Sequence, residues 1–426
     1  MRSPNGASVR TVAAIAAALL ATSLLPSLVA AQSLEPPPPT PVPVPGGGTS
    51  PSPFPQELRT PPPGPEPPEL RAGSAVLVDL DTGQVLFALD PGEKRAVASL
   101  TKIMTAYLVM TRTRPTDVVT VSPNAASGRP VGISGLGLLA EERISVQQLL
   151  YALMLQSAND AAVALAEHVG GTVEGFVEEM NAVASELGAS RTSFASPNGL
   201  DDSGYSSARD LARITRAAYG LPGFAGIAAT RFHRIPAPEG DPRIVQNRNA
   251  LLWLYPGAIG VKTGFTSAAG FCIVATADRG NVRLLAVVLG EPGEPFSDAA
   301  ALLNYGFAAF ERRPLIVEGE DLGTVQIDGR EVPVASGGSV EALVPVGEGV
   351  ERSIEVGPEV RFPPRRGAAI GTVTLSVPGT TIGQVPLVVG RVPGPPPPAE
   401  PGPWWRRAAI AVIEAGASLI RALFSS

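Results

Sequence analysis

The chain has 426 residues, 44% of them hydrophobic and 17% charged, so it is long enough for two or three domains with a sizeable core. Its net charge of −6 and the lack of a basic stripe argue against nucleic acid as a partner. The single cysteine, Cys272, excludes an internal disulfide, and the two histidines, His168 and His233, lack metal-ligand spacing, so neither a metal site nor a cofactor is predicted.

Residues 1–31 have the pattern of a secretory signal peptide. Arg2 and Arg10 provide the positive start, a long apolar stretch follows, and small residues precede a predicted cut after Ala31. No cysteine follows the cut, which argues against a lipoprotein signal; the alternative is an uncleaved N-terminal anchor. Residues 32–72 are rich in proline, which predicts an extended, semi-rigid spacer without a core of its own.

The pattern of residues 73–312 predicts an α+β domain with a largely antiparallel sheet. Residues 74–79 and 84–89 flank a turn signal and should form a hairpin, and strands return near residues 258–277 and 282–290. The intervening stretch has helical periodicity and three predicted helix caps, Ser145, Thr172 and Ser207. The apolar run around Cys272 predicts a buried thiol rather than a reactive one.

Residues 313–392 predict a small all-β sandwich, because short strands recur there with turn signals between them. The predicted strands cover residues 323–327, 340–344, 371–377 and 384–389. A second proline-rich stretch, residues 393–403, is predicted to be a linker.

Residues 404–426 form the last predicted element, a C-terminal amphipathic helix. Arg407, Glu414 and Arg421 fall on one narrow face, opposite a broad apolar face that begins at Trp405. Its charges recur too often for a membrane span, so we expect the helix to lie in the membrane interface as an anchor. The alternative is a helix docked on its own protein, which the preceding proline linker disfavours.

The use of lysine points to the chemistry. Only Lys94, Lys102 and Lys262 are lysine among 33 basic residues, so lysine stands where the chain needs an amine that can lose its proton. Lys102 follows Ser99 by three residues at the start of a helical pattern, which places its amine within reach of the Ser99 hydroxyl. A neutral lysine there can take the proton of a nucleophilic serine, provided that burial or a cationic neighbour lowers its pKa.

Two further motifs are weak evidence of function when each is taken alone. Lys262, Thr263 and Gly264 enter a predicted strand, where the lysine and threonine can bind a carboxylate and the glycine lets a substrate backbone approach. Lys262 is also a plausible cationic neighbour for Lys102. Ser157 and Asn159 stand in apolar surroundings before a helix, so they are either functional or part of a turn in which Asn159 or Asp160 caps that helix.

Together the three motifs SxxK, SxN and KTG, in this order, are the pattern of penicillin-binding proteins and class A β-lactamases. From about residue 73 to its end, the chain resembles the low-molecular-mass penicillin-binding proteins, the D-alanyl-D-alanine carboxypeptidases of peptidase family S11. The resemblance extends to the strings at residues 98–106, 157–167, 197–200 with 207–211, and 260–266. It implies a penicillin-binding, serine β-lactamase-like catalytic domain followed by a small β domain and a terminal amphipathic helix.

The resemblance also implies roles for single residues. Ser99 would be the acylated nucleophile and Lys102 its general base, while Ser157 and Asn159 shuttle protons and hold the substrate amide. Lys262 and Thr263 would bind the terminal carboxylate of the substrate. The remaining implied group is the oxyanion hole, formed by the backbone amides of Ser99 and Phe265 beside Gly264. Asn198 departs from the pattern, because many relatives have histidine there.

The implied substrate is the stem pentapeptide of peptidoglycan, from which the terminal D-alanine is removed. β-Lactam antibiotics are expected as covalent inhibitors, and residues 404–426 as the contact with the outer face of the cytoplasmic membrane. A class A β-lactamase is the nearest alternative, but its deacylating glutamate string is missing between SxN and KTG. A transpeptidase would need a larger accessory module, an inactive wall-binding relative would not need complete motifs, and a Ser-His-Asp triad finds no nucleophile elbow near either histidine.

Overall fold

The structure is a computed structural model that describes residue 58 and residues 64–127, 134–378 and 380–390. The predicted signal peptide, the linker at residues 393–403 and the predicted helix at residues 404–426 lie outside the described residues. No helix among the described residues is long and apolar enough to cross a membrane.

Sixteen strands are present in the described part of the chain. They are β1 (Ser74–Asp79), β2 (Val85–Leu89), β3 (Val118–Thr120), β4 (Arg143–Ser145), β5 (Phe232–Ile235), β6 (Arg243–Gln246), β7 (Ala258–Thr266), β8 (Gly270–Arg279), β9 (Val282–Glu291), β10 (Phe310–Ile316), β11 (Asp321–Ile327), β12 (Arg330–Ser336), β13 (Val340–Pro345), β14 (Glu351–Val356), β15 (Ala369–Val377) and β16 (Thr380–Val389).

The helices connect the first nine strands and lead into the tenth. They are α1 (Lys102–Arg112), α2 (Pro123–Ser127), α3 (Val146–Tyr151), α4 (Asn159–Gly170), α5 (Val173–Glu186), α6 (Ala208–Tyr219), α7 (Phe224–Ala229), α8 (Leu251–Leu254) and α9 (Phe296–Ala309). A 3-10 turn, Ala98–Thr101, precedes α1, and a π turn, Ala152–Gln156, extends α3.

The main sheet has the strand order β2-β1-β9-β8-β7 and is antiparallel throughout. Successive residues of a strand point to opposite faces, and both faces of this sheet are buried. Val274 and Leu285 join the core formed with the helices α1 to α7, whereas Ile273 and Leu284 join a second core formed with α9. The central strands are therefore almost continuously apolar. Cys272 is fully buried on β8, which confirms the prediction of a buried thiol, and burial raises its pKa to about 11.

The three predicted helix caps are confirmed. Ser145 Oγ accepts the N–H of Gln148, Thr172 Oγ1 accepts that of Gly175, and Ser207 Oγ accepts that of Asp210. Each of these bonds satisfies a backbone donor that the first turn of a helix leaves unpaired. The predicted hairpin of residues 74–89 is also confirmed as β1 and β2.

The proline-rich segment packs against α9 and its core before the predicted end of the segment. The Asp298 carboxylate accepts the backbone N–H groups of Arg71 and Ala72, both at 2.9 Å. Leu58 and Leu70 pack against the core formed with α9. The last residues of this segment therefore contribute to the fold and are not a free spacer.

The strands after α9 form a second β-rich unit with its own hydrophobic cluster. Five of them make an antiparallel sheet in the order β11-β12-β16-β15-β14, and β10 pairs with β13. The four strands predicted in this region are present as β11, β13, β15 and β16. Polar contacts tie the unit to the main sheet. Among them, Arg312 Nη2 lies 2.8 Å from the buried Asp79 Oδ1, and Gln84 Nε2 donates to the Leu343 carbonyl at 2.7 Å.

Candidate active site

Ser99 lies on the 3-10 turn that leads into α1, and Lys102 is the first residue of that helix. Nζ of Lys102 lies 2.9 Å from Oγ of Ser99, so the predicted contact across one helical turn is confirmed. Ala98, immediately before Ser99, has a φ of 48°, a left-handed conformation that is unfavourable for a residue with a side chain. Backbone strain of this kind concentrates at functional sites.

The Lys102 amine is completely buried and surrounded by polar atoms. Besides Ser99 Oγ, its Nζ contacts Asn159 Oδ1 at 2.8 Å and the carbonyl oxygen of Asn198 at 2.6 Å. Burial holds the pKa of Lys102 well below its usual value, and the positive charges of Lys262 and Arg248 lower it further. The negative charge of Asp160 raises the pKa and opposes these effects only in part. The amine is thereby suited to be a neutral base.

Ser157 and Asn159 belong to the turn between the π turn and α4. Ser157 is buried and has a left-handed backbone conformation, with a φ of 64°. Asn159 begins α4. The N-cap residue, Ala158, has no side chain that can cap, and both ends of the Asn159 amide are engaged elsewhere. Its Oδ1 contacts Lys102 and its Nδ2 donates to the Ser134 carbonyl at 3.0 Å. The turn therefore brings Asn159 to Lys102, whereas no hydrogen bond among the described residues joins Ser157 Oγ to Lys102.

The KTG motif lies on β7, the edge strand of the main sheet. A Cβ atom on Gly264 would lie 3.0 Å from the backbone nitrogen of Ser99, so only glycine lets the strand approach the turn this closely. Lys262 is buried and its Nζ donates to the Thr263 carbonyl at 2.9 Å. The Phe265 side chain is half exposed and its ring packs against Phe271, with 4.4 Å between the ring centroids.

Arg248 is a site residue that the sequence patterns did not reveal. It follows β6, and its backbone N–H donates to the Leu155 carbonyl in the π turn at 3.1 Å. Burial and, to a smaller extent, the Arg248 charge together lower the pKa of Lys262 to about 7. Burial also lowers the pKa of the Arg248 guanidinium itself. No spacing in the sequence connects Arg248 to the three motifs. Arg248 comes close to them only because of the way the chain between β6 and α8 packs.

The comparisons with known proteins agree with this geometry. Residues 62–293 match the family model described as D-alanyl-D-alanine carboxypeptidase. The carboxypeptidase DacF of Bacillus subtilis is 33% identical over 330 residues, which cover 74% of this chain and 84% of DacF. DacD of Escherichia coli is 40% identical over 279 residues, covering 62% of this chain and 71% of DacD. The crystal structure of penicillin binding protein 5 from Haemophilus influenzae aligns with a TM-score of 0.65 at 33% identity, over 76% of this chain and 98% of that protein.

Proposed function

The chain belongs to the D-alanyl-D-alanine carboxypeptidase family, peptidase family S11, and we propose that its acyl-transfer chemistry runs through Ser99 and Lys102. It is a serine-type peptidase that removes the terminal D-alanine from peptidoglycan stem peptides and binds penicillin. The observation that carries the proposal is the buried Lys102 amine, 2.9 Å from the Ser99 hydroxyl and with a lowered pKa.

Acylation follows from this contact. Oγ of Ser99 attacks the carbonyl carbon of the penultimate D-alanine while its proton passes to Nζ of Lys102. The developing oxyanion is stabilised by the backbone N–H groups of Ser99 and Phe265, a pairing supported by the close approach of Gly264 to Ser99. The nitrogen of the terminal D-alanine then accepts a proton through Lys102 and Ser157. The C–N bond breaks, and D-alanine leaves.

Deacylation uses the same groups in the opposite direction. A water molecule gives a proton to the base and attacks the Ser99 ester, and the ester oxygen recovers a proton as the shortened peptide leaves. Asn159 supports both steps, because its Oδ1 accepts from the amine of Lys102 and keeps Nζ directed at Ser99.

The positive end of the site selects a peptide with a free C-terminus. We assign Lys262 and Thr263 to the terminal carboxylate, with the charge of the nearby Arg248 contributing to the same electrostatic field. β7 is the edge strand of the main sheet, so an extended peptide can bind alongside it in strand-like fashion. The orientation of the scissile bond then depends on both its backbone and its carboxylate.

The location we propose is the cell envelope, where peptidoglycan is found. Residues 1–31 would direct export, and residues 404–426 would hold the enzyme peripherally at the outer face of the cytoplasmic membrane. Residues 313–392 would act as a β domain that positions the catalytic domain of residues 73–312 and takes no part in the chemistry. The hydrogen bond from Gln84 to the Leu343 carbonyl supports a fixed relation between the two units.

The experiment that tests the assignment of the nucleophile is labelling with a fluorescent penicillin, followed by measurement of D-alanine release. Ser99→Ala should lose both signals, because it removes the hydroxyl that we propose forms the ester. Ser203→Ala, which alters an exposed serine on a nearby loop, is the matched control and should retain both. Covalent labelling that persists in Ser99→Ala at another serine would overturn the assignment.

A further inference from the structure

The carboxylate of Asp160 is enclosed by a segment from another part of the chain. Asp160 is the second residue of α4 and is 1% exposed. Its Oδ1 accepts the N–H groups of Leu136 at 2.9 Å and Ala161 at 2.8 Å, and its Oδ2 accepts those of Gly137 at 2.8 Å and Leu138 at 3.2 Å. An ionised carboxylate only accepts hydrogen bonds, so four backbone donors match it.

The segment of residues 134–138, which we term the strap, in turn holds Asn159. The carbonyl oxygen of Ser134 accepts both the backbone N–H of Asn159 at 2.9 Å and its Nδ2 at 3.0 Å. Gln156 Nε2 adds a bond to the Gly135 carbonyl at 2.8 Å. Because a carbonyl oxygen cannot donate, Ser134 fixes the NH₂ end of the Asn159 amide on its own side. The oxygen end is left to face Lys102.

We propose that Asp160 is a positioning residue for acyl transfer, holding the strap in the place where Ser134 orients the Asn159 amide toward Lys102. The inference rests on the proposed function, in which Ser99 and Lys102 carry the reaction. Among the described residues Asp160 forms no hydrogen bond with Ser99, so it acts through Asn159. A strap released from the carboxylate would let the amide rotate and turn its NH₂ group to the base.

The charge of Asp160 has a second consequence that separates this role from a purely structural one. Asp160 raises the pKa of Lys102, while burial, Lys262 and Arg248 lower it. Removal of the Asp160 charge therefore lowers the pKa of Lys102. The neutral amine then persists to lower pH. The acid limb, the part of the pH–rate profile in which acylation speeds up as Lys102 loses its proton, therefore moves to lower pH.

The test is the second-order rate of acylation by a chromogenic β-lactam, measured against pH in the full chain. Asp160→Asn keeps the size of the side chain but loses the charge and replaces one acceptor with a donor. We expect the plateau rate to fall by about tenfold or more, because small misplacements of catalytic groups are costly. We also expect the acid limb to lie at lower pH than in the wild type.

A second variant moves the strap without removing any charge. A Cβ atom on Gly135 would lie 3.1 Å from Asp160 Oδ2, so Gly135→Ala pushes the strap and the carboxylate apart by a few tenths of an ångström. This variant should acylate more slowly, with its acid limb in the wild-type position. It keeps the proposal testable if Asp160→Asn fails to fold.

The matched control is Asp298→Asn, because Asp298 is also a buried carboxylate that holds a chain segment through two backbone N–H groups. It should lower the temperature of unfolding and leave the rate and the acid limb unchanged. An unmoved acid limb in folded Asp160→Asn, or a wild-type rate in Gly135→Ala, would overturn the role of Asp160. Failure of the wild type to acylate at Ser99 would instead refute the proposed function.

Discussion

The carboxamide oxygen of Asn159 lies 2.8 Å from Nζ of Lys102, although the two residues are 57 positions apart in the chain. The same amine contacts Ser99 Oγ, so a single nitrogen joins two of the three sequence motifs. Its burial, together with two nearby cations, disfavours the protonated form. A lysine in this position can take a proton from serine near neutral pH.

Replacement of Lys102 by arginine tests whether this amine is a base. Arginine retains positive charge but does not release its proton in proteins. Lys102→Arg should slow acylation by about 10²-fold or more, the usual scale of general-base catalysis. Stopped-flow measurement with a chromogenic β-lactam gives the rate, and near-normal acylation would mean that Lys102 is only a structural cation.

The pH dependence of acylation should report the charge of Lys262. The reaction needs neutral Lys102, so its rate rises with pH through the lowered pKa of that residue. Lys262→Gln removes a cation that lowers this pKa, and the acid limb should therefore move to higher pH. Lys94→Gln is the control, because Lys94 is exposed and contacts Tyr205 at 3.2 Å. A limb that stays in place in Lys262→Gln would exclude electrostatic coupling of the two lysines.

The close approach of β7 to the nucleophile predicts the effect of Gly264→Ala. The added methyl group would lie 3.0 Å from Ser99 N and 3.1 Å from the Val97 carbonyl oxygen, so the strand or the turn must shift. Acylation should fall by about tenfold or more, because misplaced amides stabilise the oxyanion poorly. Gly226→Ala, with open space around its new methyl group, should acylate like the wild type. Equal rates for the two variants would contradict the proposed oxyanion hole.

The assignment of Lys262 to the substrate carboxylate predicts a difference between two synthetic peptides. A peptide ending in D-alanyl-D-alanine should be cleaved much faster than the same peptide with a C-terminal amide, because the amide cannot form the charge-assisted bonds. Release of D-alanine or D-alaninamide is measured by chromatography. Equal values of kcat/KM for acid and amide would exclude the role.

The predicted C-terminal helix is testable by truncation. A chain that ends at Pro401 lacks the apolar face and Arg407 and Arg421, so it should no longer sediment with anionic liposomes. It should keep full activity on a short soluble peptide, because the proposed chemistry lies within residues 73–312. Binding that persists would place the anchor elsewhere, with an uncleaved N-terminal segment as the next candidate. Loss of activity would indicate that the tail is part of the fold.

Local geometry is the part of this protein that could be predicted from its sequence. The spacing of Ser99 and Lys102 places both on one helical turn wherever the helix lies in the fold. The caps at Ser145, Thr172 and Ser207 are equally local, because each bonds to a backbone group three residues away. The side chains of β8 and β9 likewise point in turn to the two cores, because successive residues of a strand face opposite sides of the sheet.

Only the tertiary structure decided which distant groups surround Lys102. Arg248 and Asp160 alter its pKa through space, and no sequence spacing encodes that distance. Asp160 could have been a helix cap by its position, yet three of its four bonds go to residues 136–138. The physical reason is that burial and Coulomb interactions depend on separation in space, which the packing of the whole chain sets, whereas caps and turns depend on neighbours within a few residues.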